Sequence, residues 1–454
     1  MESPHGIVGA EEHENPKYVP HCLRFRHPEA TGCALDAYGR ATASMASLFL
    51  GPALLDLAME EAGENGRVHG FRPTSLLTNI AIVAGLLVAV SMPFFGAVVD
   101  HTTYRRQVGL YSGLALALVK AIETCVSAPT WFYVAWLQIA SAVLYNVHLT
   151  ANYAYVSELS KDPNEKASYN SSYNILIYTS TLQFMVIVLV VSTMFSFGDI
   201  GTARVSQVTA ATTTFLCMYV GWTRFLQSRP ALQSVPEGLT LWTCGFVKVW
   251  HTAGQIRRLP LRWVCLSILF AEAATQALTT LAVTYLKDVL KMGGTETGMV
   301  FLVVLICGIP GSQISKWTTI RYSPVTSAKI CDVLFITTTS LASALLKGPD
   351  DKVWAYAMAA MWGIELGWLL PAHTTAFMEL MPPGSESELM GIYLFMGNLL
   401  AWLPPLLFTV LNEDGVPLSV GLSSLNIFFF IGFAFLFGLG DYRSKMSIDE
   451  VELT

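Results

Sequence analysis

Apolar segments of about 20 residues follow one another along the chain, separated by short polar connections. A helix needs about 20 residues to cross the ~30 Å hydrocarbon core of a bilayer. The pattern therefore predicts an all-α integral membrane protein with twelve transmembrane helices. The predicted helices are residues 33–58, 75–99, 107–127, 131–157, 171–195, 203–224, 263–286, 297–315, 324–346, 353–377, 390–411 and 418–440.

The longest internal connection separates six predicted helices from six. This division predicts two pseudo-symmetric six-helix bundles joined by a central loop and flanked by two tails. The predicted parts are a tail at 1–32, a bundle at 33–224, the loop at 225–262, a bundle at 263–440 and a tail at 441–454.

Within the central loop, Leu241–His251 is amphipathic enough to form a helix on the membrane surface. We expect Lys248, Arg257 and Arg258 to face lipid phosphates there. Lys and Arg are also more frequent in the central loop, both tails and alternate connections than in the opposite set. This bias predicts that both termini and the central loop are cytoplasmic.

Composition supports a membrane protein and excludes several functions. The chain is 53% hydrophobic and 13% charged, whereas a soluble chain carries about 25% charged residues. The net charge is −6, and no basic patch with interleaved aromatic residues indicates nucleic-acid binding. The eight cysteines form no C-x-x-C pair and are interpreted as packing residues. We predict no cofactor, no metal site and a monomer with the lipid bilayer as its environment.

Two sets of six helices are typical of secondary transporters. No G-x-x-x-x-G-K-[ST] sequence is present, which argues against an ATP-driven pump. No set of nucleophile, base and orienting residue indicates an enzyme. A membrane scaffold or sensor without transport activity remains the alternative.

A loop motif follows the second predicted helix and contains Gly96, Asp100, Arg105 and Arg106. It resembles the loop signature of the major facilitator superfamily. The resemblance implies that Gly96 lets two helices approach closely and that Asp100 holds a basic partner across the cytoplasmic face. An ordinary positively charged loop is the alternative.

A second motif joins the tenth and eleventh predicted helices and includes Glu379, Pro382, Pro383, Gly384 and Tyr393. It resembles the vacuole-effluxer branch of that superfamily, the autophagy-related permeases that export amino acids. The segments at 35–38 and 152–159 resemble two further elements of this branch. The resemblance implies amino-acid export from an acidic vacuole or lysosome during autophagic recycling. The alternatives are another small organic solute at the plasma membrane and the scaffold or sensor named above.

Two carboxylates lie near the middle of predicted spans, Glu272 in the seventh and Glu365 in the tenth. A charged carboxylate at that depth is costly, so each must face a cavity or carry a proton. Both are candidate proton-coupling sites. A carboxylate fixed in an interhelical hydrogen bond is the alternative.

Other polar residues in the spans are candidates for a substrate path. Tyr145, His148 and Asn152 share one helix face, which predicts a water-filled path or hydrogen bonds between helices. Asp36 and Arg40 are four residues apart, and a local ion pair is favoured over capture of a substrate carboxylate by Arg40. The path candidates are Asp36, Arg40, Tyr145, Asn146, His148, Asn152, Asn174, Gln276, Asn398 and Trp402.

Two acidic residues at the predicted cytoplasmic boundary, Asp100 and Glu158, are candidate gate residues. We expect them to contact basic neighbours rather than substrate. The basic neighbours are Lys161, Lys166, Arg105 and Arg106.

Overall fold

The computed structural model describes residues 25, 27–63, 66–159, 163–231, 234–236, 238–381 and 386–440, and the described part is all-α. Pro382, Pro383, Gly384, most of the N-terminal tail and the C-terminal tail lie outside these residues. The helices are α1 Pro28–Ala62, α2 Leu76–His101, α3 Arg105–Glu123, α4 Trp131–Ser157, α5 Pro163–Met194, α6 Asp199–Val220, α7 Leu241–Ile256, α8 Leu261–Asp288, α9 Gly294–Arg321, α10 Pro324–Leu345, α11 Lys352–Glu379, α12 Glu386–Leu399, α13 Leu403–Glu413, α14 Leu418–Ser423 and α15 Leu425–Phe437.

Ten of the described helical segments are long and apolar enough to cross a membrane. The two remaining long helices of the bundles, α3 and α6, are more polar and pack against each other, with α1 beside α6 and α4 beside α3. On α3, Lys120 and Glu123 form a fully buried ion pair of 3.0 Å, and the Lys120 ammonium group also donates to Ser47 of α1. Polar side chains of these helices are thus paired inside the bundle. With α3 and α6 included, the predicted fold of twelve spans is confirmed.

The first helix begins at Pro28, earlier than the predicted residue 33. Proline is favoured in the first turn, because its missing N–H has no intrahelical acceptor there. The end of the predicted N-terminal tail is therefore helical. Helix α1 ends at Gly63, whose φ of +47° suits a residue without a side chain.

The predicted eleventh span, 390–411, is interrupted between α12 and α13. Pro404 and Pro405 lie at the start of α13, where a proline can begin a helix but cannot continue one. At the break, the Ala401 N–H donates to the carbonyl of Asn398. The predicted twelfth span, 418–440, is likewise divided into α14 and α15 and ends at Phe437.

The two halves have separate packing centres. In the N-terminal half, α1 packs against α4, α5 and α6; in the C-terminal half, α9 packs on α11, and α8 on α15. The halves meet where α1 contacts α8 and α9, where α2 contacts α12 and α13, and where α5 contacts α9. The interface between the halves is therefore formed by α1, α2 and α5 on one side and by α8, α9, α12 and α13 on the other.

Helix α7 of the central loop packs against α2. It extends five residues beyond its predicted C-terminal end. The Trp242 ring stacks on Phe94 with centroids 3.9 Å apart, and the backbone of Gly245 lies directly on the carbonyl of Pro93. This contact fixes the central loop to the second helix of the N-terminal half.

Candidate substrate path and gates

At the ends predicted to be non-cytoplasmic, a first polar cluster joins the halves. Lys287 of α8 lies 2.7 Å from an Asp56 carboxylate oxygen of α1 and also pairs with Asp199 of α6. Asp199 in turn accepts from the Gly294 N–H at 2.6 Å. We name these residues the Lys287 cluster. Because α8 and α9 belong to one half and α1 and α6 to the other, the cluster joins the two halves at this end.

A second polar cluster, the Glu413 cluster, joins α13 to the residues before α2. The Glu413 carboxylate accepts from the backbone N–H of Arg72 and from the Ser75 hydroxyl, both at 2.7 Å. It also pairs with the Arg67 side chain at 3.0 Å. Asn412 adds a hydrogen bond to Ser75 at 2.7 Å. Neither cluster was predicted, since their members come from separate loops and share no sequence pattern.

At the opposite end, Glu158 links elements within the N-terminal half. Its carboxylate accepts from Arg105 at 2.8 Å and from Arg229 at 2.5 Å, and Arg229 also pairs with Glu29. Burial lowers the pKa of Arg229, but its hydrogen bonds to Glu158 and Glu29 outweigh that effect and raise the pKa overall. Arg105 is one of the partners predicted for Glu158. Lys161 and the side chain of Lys166 lie outside the described part of the chain.

The loop motif after α2 contacts the central loop. Asp100 lies 3.1 Å from the ammonium nitrogen of Lys248, so the expectation that Lys248 faces lipid phosphates is wrong. Arg106 donates to the carbonyls of Trp222 and Thr223, both at 3.1 Å, and so caps the end of α6. The expectation for Gly96 is also wrong, since no atom lies within 4 Å of a Cβ built there.

Asp36 is the centre of a polar group in the N-terminal half and is fully buried. One carboxylate oxygen lies 2.5 Å from His148 Nε2 and accepts from the Trp222 indole N–H at 2.8 Å. The other lies 3.4 Å from Arg40 Nε, which is the predicted ion pair. His148 and Trp222 are 112 and 186 residues away along the chain, so helix periodicity cannot identify them as partners.

Not all of the other path candidates in the N-terminal half belong to the Asp36 group. The Arg40 guanidinium lies 6.0 Å from the centre of the Tyr145 ring. Asn152 is buried, and its amide nitrogen has no hydrogen-bond partner among the described residues. Asn146 donates to the Ala142 carbonyl of its own helix at 2.9 Å, and Asn174 is exposed on α5. The last two therefore do not join the Asp36 group.

Glu272 is the centre of a corresponding group in the C-terminal half. Its carboxylate accepts from the Tyr393 hydroxyl at 2.8 Å and lies 3.8 Å from His373 Nδ1. The Tyr393 hydroxyl is also 3.0 Å from the Thr374 hydroxyl. Gln276 donates to the Gly397 carbonyl at 2.7 Å. The role of Tyr393 as the partner of Glu272 was missed, because only its place in the loop motif was visible.

The last two path candidates lie at the break between α12 and α13. Trp402 donates to the Leu399 carbonyl at 3.0 Å, and Asn398 is partly exposed beside it. Both residues therefore lie at the interruption of the predicted eleventh span. Glu379, from the second loop motif, is exposed at the end of α11.

Glu365 occupies a different position from Glu272, fully enclosed between α11 and α10. One carboxylate oxygen accepts from Thr338 at 2.5 Å, and the other has no partner among the described residues. Asp332 of α10 is also fully buried, and both of its carboxylate oxygens lack described partners. An unpaired charge at such depth costs roughly 3 kcal/mol or more, so the protonated forms are favoured.

The N-terminal half holds a buried cation, Arg40, and the C-terminal half holds a buried carboxylate, Glu272.

Comparison with known proteins identifies the fold family. The sequence profile of the Major Facilitator Superfamily matches residues 37–405. The chain belongs to the major facilitator superfamily. It is therefore a small-molecule transporter of the lipid bilayer, as predicted. No curated protein matches the sequence, and the effluxer branch of the superfamily stays a prediction.

Solved transporters of the superfamily fold resemble the chain over most of its length. The nucleoside transporter NupG has a TM-score of 0.65 at 10% identity and covers 90% of this chain and 98% of its own. The human organic anion transporter MFSD10 gives 0.59 at 14% identity, covering 92% and 100%. A bacterial homologue of the human lysosomal transporter Spinster, in an inward-facing conformation, gives 0.60 at 13% identity, covering 91% and 97%. At these identities the likeness shows the fold alone.

Proposed function

We propose that this major facilitator protein exports amino acids from the vacuole or lysosome to the cytosol by alternating access. The observation that carries the proposal is a buried cation, Arg40, in one half of the molecule and a buried carboxylate, Glu272, in the other half. A planar guanidinium binds carboxylates well, and a carboxylate binds an ammonium group. The pair therefore suits a zwitterion.

The fold leaves the substrate open, since a nucleoside transporter and an organic anion transporter both share it. The buried charges favour an amino acid over either class. An uncharged nucleoside offers no opposite charge to Arg40 or Glu272, and an organic anion is repelled by Glu272. The resemblance around Glu379 and Tyr393 supports the compartment.

We assign different roles to the two buried glutamates. One carboxylate cannot hold an ammonium group and a proton at once, so a shared site produces exchange of proton for substrate. Export from an acidic lumen needs both to move in the same direction. Glu272 as the ammonium ligand therefore leaves the enclosed Glu365 as the coupled proton site.

The Lys287 and Glu413 clusters hold the two halves together at the end that we assign to the lumen. Alternating access requires these contacts to break when the path opens to the lumen. The cytoplasmic contacts of Glu158 lie within one half and can persist through that change.

Efflux of a mixed amino-acid pool from proteoliposomes tests the proposal. Wild type should export particular amino acids, and Arg40→Gln should lower the rate at least tenfold by removing the carboxylate ligand. Arg257→Gln, which removes an exposed cation of the central loop, is the matched control and should behave as wild type. Absence of amino-acid efflux from folded wild-type protein would contradict the proposal.

A further inference from the structure

We propose that Asp36 and His148 bind one proton between them, forming a second proton site in the N-terminal half. The site stands on the geometry of α1, α3 and α4. Its link to substrate, described below, rests on the proposed function.

The first step concerns His148 Nδ1, which lies 2.9 Å from the carbonyl oxygen of Gly109. A carbonyl only accepts, so this nitrogen must carry a hydrogen. The Ser112 hydroxyl is also near, at 3.3 Å, but its own hydrogen points to the Val108 carbonyl at 2.6 Å. Ser112 is therefore an additional acceptor for the Nδ1–H.

The second step concerns His148 Nε2, which lies 2.5 Å from a carboxylate oxygen of Asp36. With Nδ1 already protonated, a neutral ring has only a lone pair at Nε2. Two lone pairs at this distance repel, so a proton must lie between the nitrogen and the oxygen. The pair holds it either as imidazolium and carboxylate or as neutral imidazole and carboxylic acid.

The ring has little freedom to escape this geometry. Gly113 borders the ring, since a Cβ there would lie 3.0 Å from His148 Cε1. The Trp222 ring covers Gly109 and meets His148 edge-on with centroids 5.4 Å apart. Because both glycines belong to α3, the ring is fixed between α3, α4 and the turn after α6.

Loss of the shared proton therefore destabilises this packing. Asp36 and His148 must then separate, or the ring hydrogen must move to Nε2 and leave the Gly109 carbonyl without its donor. Either response loosens the contact of α1 with α3 and α4. The titratable or charged groups that face the pair are Arg40 and Cys33 from α1, Tyr145 from α4 and Cys217 from α6, while α3 presents Gly109, Ser112 and Gly113.

The shared proton also affects Arg40, whose Nε lies 3.4 Å from the second Asp36 oxygen. With the proton present, the Asp36 charge is neutralised by His148, and Arg40 is available to a substrate carboxylate. After proton loss, Asp36 is a full anion that competes with the substrate for Arg40. Proton and amino acid therefore strengthen each other's binding, and this coupling is reciprocal.

Nitrogen-15 NMR of histidine-labelled protein in nanodiscs tests the site. The chain has nine histidines, and the His148 signal is the one that responds to Asp36→Asn and is absent from His148→Gln. We expect wild-type His148 to show hydrogens at both ring nitrogens at acidic pH. In Asp36→Asn, Nδ1 should remain protonated while Nε2 accepts from the amide. His251→Gln, at an exposed histidine of α7, is the control and should leave the His148 signal unchanged.

An unprotonated Nδ1 across the pH range would overturn the site, since Nε2–H would then suffice to bind the carboxylate. Repeating the measurement at one fixed pH with the mixed amino-acid pool tests the coupling, which predicts movement of the His148 signal towards that of the doubly protonated ring. No such movement in protein that exports amino acids would overturn the coupling. Lack of both movement and efflux would refute the proposed function and leave the proton site supported by its own signature.

Discussion

At the scale of single residues, each half pairs a carboxylate of its first helix with a histidine of its fourth. Asp36 and His148 are 2.5 Å apart, whereas Glu272 and His373 are 3.8 Å apart and Tyr393 takes the short contact. The tight pair has a fixed partner for its charge. The looser pair leaves Glu272 able to accept from a substrate ammonium group while Tyr393 keeps the carboxylate oriented.

Tyr393→Phe removes the hydroxyl that donates to Glu272. A hydrogen bond to a charged group contributes about 1.5–3 kcal/mol, so we expect the KM for amino-acid efflux to rise about tenfold. Efflux kinetics measure this change. Tyr133→Phe, at a tyrosine that is 71% exposed, is the control and should keep the wild-type KM. An equal KM in wild type, Tyr393→Phe and Tyr133→Phe would exclude a contribution of Tyr393 to amino-acid binding.

Glu365→Gln tests the enclosed glutamate at the same scale. The amide of Gln can still accept from Thr338 but cannot release a proton. We therefore expect an acidic interior to have no effect on the rate of amino-acid efflux by this variant. Measuring amino-acid efflux with and without an acidic interior separates this loss from misfolding. A gradient response equal to that of wild type would remove Glu365 from the proton pathway.

At the scale of helices, the length of the apolar segments identified the spans, because a helix must reach a minimum length to cross the bilayer. The interruption after Leu399 was missed, although Pro404 and Pro405 are visible inside the predicted helix. Apolar composition was given priority there over the inability of proline to continue a helix. The extra turn at the start of α1 was missed because Pro28 was assigned to the polar N-terminal tail.

Helix α7 offers a prediction about an element. Gly245→Leu places a side chain against the Pro93 carbonyl, so we expect α7 to detach from α2 and its amide hydrogens to exchange faster. Hydrogen exchange measured by mass spectrometry checks this. Gly254→Leu on the same helix is the control, since no atom lies within 4 Å of a Cβ there. Equal exchange in both variants would contradict the described packing.

At the scale of the whole molecule, sequence reasoning found the two bundles but not the contacts between them. Arg40 could be paired with Asp36, since both lie on one helix face. Lys287 meets Asp56, and Glu413 meets Arg67, across helix ends of opposite halves that come together only when the halves pack. Single-sequence patterns report neighbours along a helix, whereas gates depend on the arrangement of helices.

Neutralising the two clusters with Lys287→Gln and Glu413→Gln should shift the molecule towards the lumen-open state, because each removes contacts that join the halves. Distances between spin labels on the two halves at the non-cytoplasmic end would measure the opening. Lys291→Gln, whose described ion pair is the local one with Asp288, is the control and should leave the distances unchanged. Wild-type distances in the double variant would show that these clusters do not maintain closure.

The most direct test of the central claim, that Arg40 and Glu272 together bind a zwitterion, is competition during amino-acid counterflow. Three competitors are compared at equal concentration: a transported amino acid, its methyl ester without the carboxylate, and the matching carboxylic acid without the amine. We predict that only the zwitterion competes strongly, since each analogue can form a charge-assisted contact with only one of the two residues. Equal competition by either analogue would contradict a site that reads both charges.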